Sequence, residues 1–201
     1  MYWLGRGCLL YHPQMTSRAS RSWLGLAGRY GLMLGLLACS PAYDWRETGI
    51  ERGYTALLPA RPTVETRTLP LFGQPIVLTL VSAQAQGRLF AVGDARLPAG
   101  LATPERRAAV LQAFADALAR NLQGRIVRTA AVGWRGEPGP DLGWEVEVVA
   151  AGDDKGGGER RLLARLFVRG DRFYELILIG DTRSMPPDTA ETFLNGFRPA
   201  R

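Results

Sequence analysis

Apolar and polar residues alternate with a period of two along most of this chain, and the pattern lengthens to a helical period in two places. Gly53 to Pro59, Val64 to Leu71, Gln74 to Ser82 and Gly87 to Leu97 read as four strands, the first stopped by Pro59 and Pro62. From Pro104 to Leu122 the apolar residues Leu111, Phe114, Leu118 and Leu122 recur every three or four positions, which predicts one long amphipathic helix. Thr103 is placed to cap it, Pro104 suits its first position, and Gly124 follows its end. Arg106, Arg107, Asp116 and Arg120 lie mainly off the stripe, as on a solvated face. Four more strands follow: Arg125 to Trp134, Leu142 to Ala150, Arg160 to Arg169 and Arg172 to Ile179. A short closing helix, Thr189 to Asn195, has Asp188 as cap, Glu191 completing a capping box, and Phe193, Leu194 and Phe197 to pin it to a sheet. The sum is an α+β domain: an antiparallel sheet of about seven to eight strands with a long helix and a short C-terminal helix packed on it.

Side-chain parity adds detail. Leu142, Trp144, Val146 and Val148 point one way, and Glu145 and Glu147 the other. On the next strand Leu162, Ala164, Leu166 and Val168 oppose Arg161 and Arg165. Antiparallel pairing brings those glutamates beside those arginines, a structural ladder worth about 0.2–1 kcal/mol per pair. Glu175 shares the parity of the apolar Phe173, Ile177 and Ile179, and a buried carboxylate there needs a partner or a raised pKa. A place at a sheet edge is the expectation. Arg169-Gly170-Asp171-Arg172 has the form of a tight hairpin turn, and its adhesion-like tripeptide is a chance string. The stretch from Gly152 to Gly158 lacks the spacing of a calcium loop or a phosphate loop and reads as a mobile hairpin connection.

The amino terminus follows different rules. Arg18, Arg21 and Arg29 precede a short apolar run from Tyr30 to Ala38, with no acid among them. The run is far below the roughly 20 residues of a membrane span. Gly25, Gly28, Gly31 and Gly35 make it a poor helix in water. Charge, grease, a small residue and then Cys39 resemble the export signal of a bacterial lipoprotein, which implies cleavage between Ala38 and Cys39 and a lipid on Cys39. Met1 to Gln14 fits no part of such a signal, and a start at Met15 would leave a leader of ordinary length. The expected organisation is therefore a leader over 1–38, a lipidated cysteine and tether over 39–51, and one α+β domain over 52–201. Ser40 resembles the sorting signal for the outer membrane. The expected location is the bacterial cell envelope, lipid-anchored and facing the periplasm, with the outer membrane favoured over the inner.

Cleavage there changes the chemistry. Of 25 basic residues four arginines lie in the leader, so 21 face 19 acids and the net charge drops from +6 to +2. The basic excess that would suggest nucleic acid thus belongs mostly to the leader. His12 and Cys8 leave with it, so the mature chain has no histidine and no thiol beyond Cys39. Ser-His-Asp and Cys-His nucleophiles, histidine zinc sites and disulfides are excluded. Carboxylate, serine, tyrosine or lysine chemistry survives, Lys155 being the single lysine against 24 arginines.

Cys39-Ser40-Pro41-Ala42-Tyr43-Asp44-Trp45-Arg46-Glu47, the strand ending Leu57-Leu58-Pro59-Ala60-Arg61-Pro62, and Phe193-Leu194-Asn195-Gly196-Phe197 resemble small proteobacterial envelope lipoproteins. The order of elements is similar to the PsbP-like fold, which includes DcrB-like envelope lipoproteins. That resemblance implies an accessory or assembly protein with no catalytic residues, cofactor or metal to carry over. The expected function is a lipid-anchored, non-enzymatic protein that binds an envelope protein partner. Tyr43, Trp45 and Arg46, with Trp134, are candidate contacts, although core packing is favoured for Trp134. One alternative is a small apolar-ligand module with a cleft between sheet and helix. Another is a cell-wall hydrolase built on two of Asp94, Asp141, Glu145 and Glu147, which needs carboxyls about 5–10 Å apart.

Overall fold

A computed structural model describes residues 42–134, 139–152 and 158–200. Strands β3 (Thr63–Leu71), β4 (Gln74–Ala85), β5 (Arg88–Arg96), β6 (Arg125–Ala131), β7 (Leu142–Ala150), β8 (Arg160–Arg169) and β9 (Arg172–Asp181) form an antiparallel sheet in the order β3-β4-β5-β9-β8-β7-β6. A smaller sheet holds β1 (Arg46–Thr48), β2 (Tyr54–Leu58) and β10 (Arg198–Pro199), with β2 in the middle. Helix α1 spans Pro104–Leu122 and α2 spans Pro187–Asn195. The α+β class, the long helix and the short closing helix all stand as the periodicity predicts. The first predicted strand, however, lies in the small sheet.

Tight turns set the register of the hairpins. Phe72 and Gly73 link β3 to β4 with φ of 48° and 78°, and Gln86 and Gly87 link β4 to β5 with 51° and 70°. Two positive values in succession give the turn whose twist matches that of the flanking strands. Between β8 and β9 the turn is Gly170 and Asp171, so the Arg-Gly-Asp string serves a hairpin.

The seven-stranded sheet is covered on both faces. Helix α1 lays Val110, Leu111, Phe114 and Leu118 over Val146, Val148, Leu162, Ala164 and Phe173, and the rings of Phe114 and Phe173 stack 3.8 Å apart. On the opposite face β2, α2 and the connection after α2 bury Tyr54, Ala56, Leu58, Phe193 and Phe197 against Phe90, Val92, Leu163, Phe167 and Leu176. Each such leucine or phenylalanine taken from water contributes roughly 1.5–3 kcal/mol. The second layer explains why β8 is buried on both parities. Its odd positions carry Leu163 and Phe167 as well as the two arginines of the ladder.

Several boundaries differ from the expectation. The predicted tether is already in contact with the domain from Ala42 onward. Asp44 donates its N–H to Pro59, and Arg46–Thr48 pair with Ala56–Leu58. β6 ends at Ala131, before Trp134, with a bulge between Ile126 and Arg128. Thr103 takes the cap position of α1 without a side-chain capping bond. Helix α2 starts two residues earlier than a cap at Asp188 allows, with Pro186 as cap and Asp188 inside the first turn. Glu175 is not at an edge. It sits on β9, between β5 and β8 in the sheet's interior, and is 3% exposed. Gly93 lies directly opposite on β5, and a Cβ there would meet the Glu175 Cγ at 2.5 Å. The glycine makes the room that the carboxyl occupies.

The predicted ladder is present. Glu145 bonds Arg165 at 2.9 Å and also Arg128, while Glu147 bonds Arg161 at 2.7 Å. Burial would raise the Glu145 pKa, but the bonds from Arg165 and Arg128 outweigh it and hold the carboxyl below its ordinary value. Arg165 also donates to the Leu194 carbonyl at 3.2 Å and the Asn195 Oδ1 at 2.9 Å, which ties the ladder to the end of α2. Its side chain is 14% exposed. Arg165→Ala is expected to cost about 2 kcal/mol, because those acceptors lose a charged donor. Urea denaturation of the variant at pH 7 measures it, and a loss below about 0.5 kcal/mol would mean the bonds are idle.

Candidate functional site

Register places three arginines in one row across adjacent strands. Arg169 pairs with Arg172 across the β8–β9 hairpin, and Arg172 pairs with Arg96 on β5. All three belong to the face that carries the small sheet. The outer cation is neutralised locally: Arg96 bonds Asp171 at 3.0 Å. On the other side of the row, Asp141 stands just before β7 beside Arg169. Its Oδ2 takes the Gly170 N–H at 2.7 Å and Arg107 at 2.8 Å. Among the described residues, neither Arg169 nor Arg172 has an ion pair within 4 Å. Both are half-buried.

These two arginines border an open cleft of about 590 Å³, whose other walls include Gly53, Asp141, Tyr174 and Ala200. The small sheet forms the far side, where the Ala200 N–H bonds the Gly53 carbonyl at 2.8 Å. Behind Tyr174 lies a buried polar group. The Tyr54 hydroxyl and the Asp94 Oδ1 have no hydrogen-bond partner among the described residues. Burial pushes the Asp94 carboxyl up, partly offset by Arg52 and Arg172. Burial also pushes the Tyr54 and Tyr174 phenols up, with the Asp94 charge adding to each. Both phenols are thus neutral donors over the physiological range. The arrangement offers two guanidinium forks and a phenol at the mouth, with a buried acid underneath.

The other candidate residues lie elsewhere. Ala38 and Cys39 fall outside the described residues. Tyr43 and Trp45 are half-buried and meet Phe90 edge-on, with centroids 6.2 and 6.1 Å away, and the Tyr43 hydroxyl accepts from Arg88 at 2.5 Å. Their rings anchor the start of the domain to its core. Arg46 is exposed and pairs with Asp44. Trp134 packs on Phe167, Tyr174 and Phe197. The four carboxylates do not converge. Asp94 on β5 is three interstrand steps from Asp141 and from Glu145, about 14 Å at 4.8 Å per step. Glu145 and Glu147 are close on one strand, but Arg128 reaches both. Sequence reasoning passed over Arg169, Arg172, Tyr174 and Tyr54 as a group. The arginines flanking the hairpin were visible, but their alignment with Arg96 depends on β5 pairing with β9.

No protein-family model matches the chain, and no curated protein matches it. Among solved structures, the solution structure of cyanobacterial PsbP (CyanoP) from Synechocystis sp. PCC 6803 is similar, with a TM-score of 0.52 at 16% sequence identity. The match covers 83% of this chain and 98% of that one. At that identity the likeness concerns the fold, and the chain has the PsbP-like architecture.

Proposed function

We propose that the protein is a lipid-anchored accessory protein of the bacterial cell envelope that binds a protein partner and catalyses no reaction of its own. The observation that carries this reading is how near to Cys39 in sequence the domain already makes contacts of its own. Ala42 accepts a bond from Gln86 at 3.2 Å and Tyr43 packs on Phe90, three and four residues past Cys39. A cut before Cys39 would therefore leave the whole described domain intact and almost no slack. Four residues span at most about 14 Å, so a lipid on Cys39 holds the domain against the bilayer instead of on a long tether. The PsbP-like fold, and acids committed to arginines at Glu145 and Glu147, agree with a binding role.

Mass spectrometry of the mature amino terminus, with membrane fractionation, tests the reading. The expected wild type begins at Cys39 with added acyl mass and sediments with membranes. Cys39→Ala is expected to retain its leader and carry no lipid. A wild type that is unlipidated with an intact leader overturns the anchor.

A further inference from the structure

We propose that the cleft at the β8–β9 hairpin binds an oxyanion, a carboxylate or phosphate group, gripped by Arg169 and Arg172. The proposal gives chemistry to the partner of the reading above. It rests on that reading for the existence of a binding role and is independent of the lipid.

Like charges directly opposite one another in an antiparallel pair are destabilising. Here the penalty is taken twice, at Arg169–Arg172 and Arg172–Arg96. A purely structural row would be expected to alternate in sign, as the Glu145–Arg165 ladder does on the same face. Acids are at hand, yet they are spent elsewhere: Asp171 on Arg96, and Asp141 on Arg107 and the turn. Asp94 lies two residue pairs further in, is 9% exposed, and makes no ion pair within 4 Å with either guanidinium among the described residues. Among the described residues Arg169 and Arg172 thus line the cleft with no ion pair within 4 Å, and Asp94 acts on Arg172 only through a longer-range attraction. A guanidinium in that setting is matched best by two oxygens of a carboxylate or phosphate in bidentate contact. Tyr174 on the cleft wall supplies a neutral hydroxyl beside them.

Position narrows the source. Arg88, which holds Tyr43 near the anchor, begins β5, and Arg96 in the arginine row ends it. Eight steps of about 3.3 Å separate them by about 26 Å. The cleft thus opens at the end of the sheet away from Tyr43. The oxyanion is either free in solution or borne on an acidic segment of the partner.

Calorimetric titration of the mature protein in neutral detergent micelles tests this with three probes: inorganic phosphate, succinate and a penta-glutamate peptide. Binding of at least one probe is expected, weakening with added salt. Arg169→Gln with Arg172→Gln should weaken it by about tenfold or more. Arg106→Gln, on the exposed side of α1, should leave it unchanged. The melting temperature of the double variant should be equal or higher, because a repulsive row is relieved, whereas a merely structural role would lower it. Phosphate or succinate binding as tightly as the peptide assigns the site to a free anion. Peptide binding at least about tenfold tighter assigns it to an acidic segment of the partner. No binding of any probe, or binding untouched by the double variant, overturns the oxyanion site and leaves the lipid-anchor reading standing.

Discussion

Glu175→Gln should stabilise the protein by about 2 kcal/mol at pH 8 and change little at pH 5. The carboxyl is 3% exposed on a central strand, and burial pushes its pKa from 4.5 up to about 7. Its cross-strand neighbours are Gly93 and Leu166, and its neighbours on the same face of β9 are Phe173 and Ile177. None of these compensates a charge. A raised carboxylate pKa means that the folded state keeps a proton the unfolded chain has released. Stability from this group is complete below pH 4.5, falls as pH rises toward 7, and is lost above it. A shift of this size costs about 3 kcal/mol across that window, at 1.36 kcal/mol per unit. Glutamine has no charge to bury, although its amide still pays for desolvation, so the gain is somewhat smaller. Urea denaturation of both proteins at pH 5 and 8 decides the matter. Parallel stability profiles for wild type and variant would show that Glu175 is charged and solvated in the folded state.

Gly143→Ala should cost about 3 kcal/mol. Gly143 lies on β7, opposite Phe167 on β8. The chain leaving β6 crosses directly above it, with the Val132 N–H bonded to the Gly143 carbonyl at 3.0 Å. A Cβ at Gly143 would stand 2.3 Å from the Val132 carbonyl oxygen and 2.7 Å from the Phe167 ring. The first obstacle is backbone, which cannot rotate away as a side chain can. Relief requires residues 132–134 to lift, and Trp134 then leaves its site against Phe167, Tyr174 and Phe197. The expected signature is a lower urea midpoint together with a red-shifted tryptophan emission in the folded baseline. A variant with wild-type midpoint and emission would mean that the segment yields without loss.

What could be read in advance was what depends on neighbours in sequence. The hairpins, the α1 stripe and the Glu145, Glu147, Arg161 and Arg165 ladder all follow from local period and parity. The parity of Glu175 was legible for the same reason. Its depth was not, because depth depends on β9 lying between β8 and β5, a pairing between segments about 80 residues apart. The arginine row escaped for that reason too. The small sheet was half-legible. β2 has the alternation of a strand, but β1 and β10 are three and two residues long and carry no periodic signal. Their consequence, a second covered face, appears in the sequence only as the odd-parity apolar residues Leu163 and Phe167.

The order β3-β4-β5-β9-β8-β7-β6 has a kinetic meaning. On one side, β3 to β5 are joined by two-residue turns; on the other, β6 to β9 follow one another in chain order. Within each half the pairings are local in sequence. The sheet becomes continuous only along the β5–β9 seam, a pairing between residues roughly 80 apart in sequence, and non-local pairing of this kind slows folding. Until then two long, unprotected edges coexist, each able to recruit a second chain. The residues that finally meet along the seam include Gly93 and Glu175. Pairing along the seam is thus also what takes a carboxyl out of water, and acid conditions that keep it protonated favour that pairing.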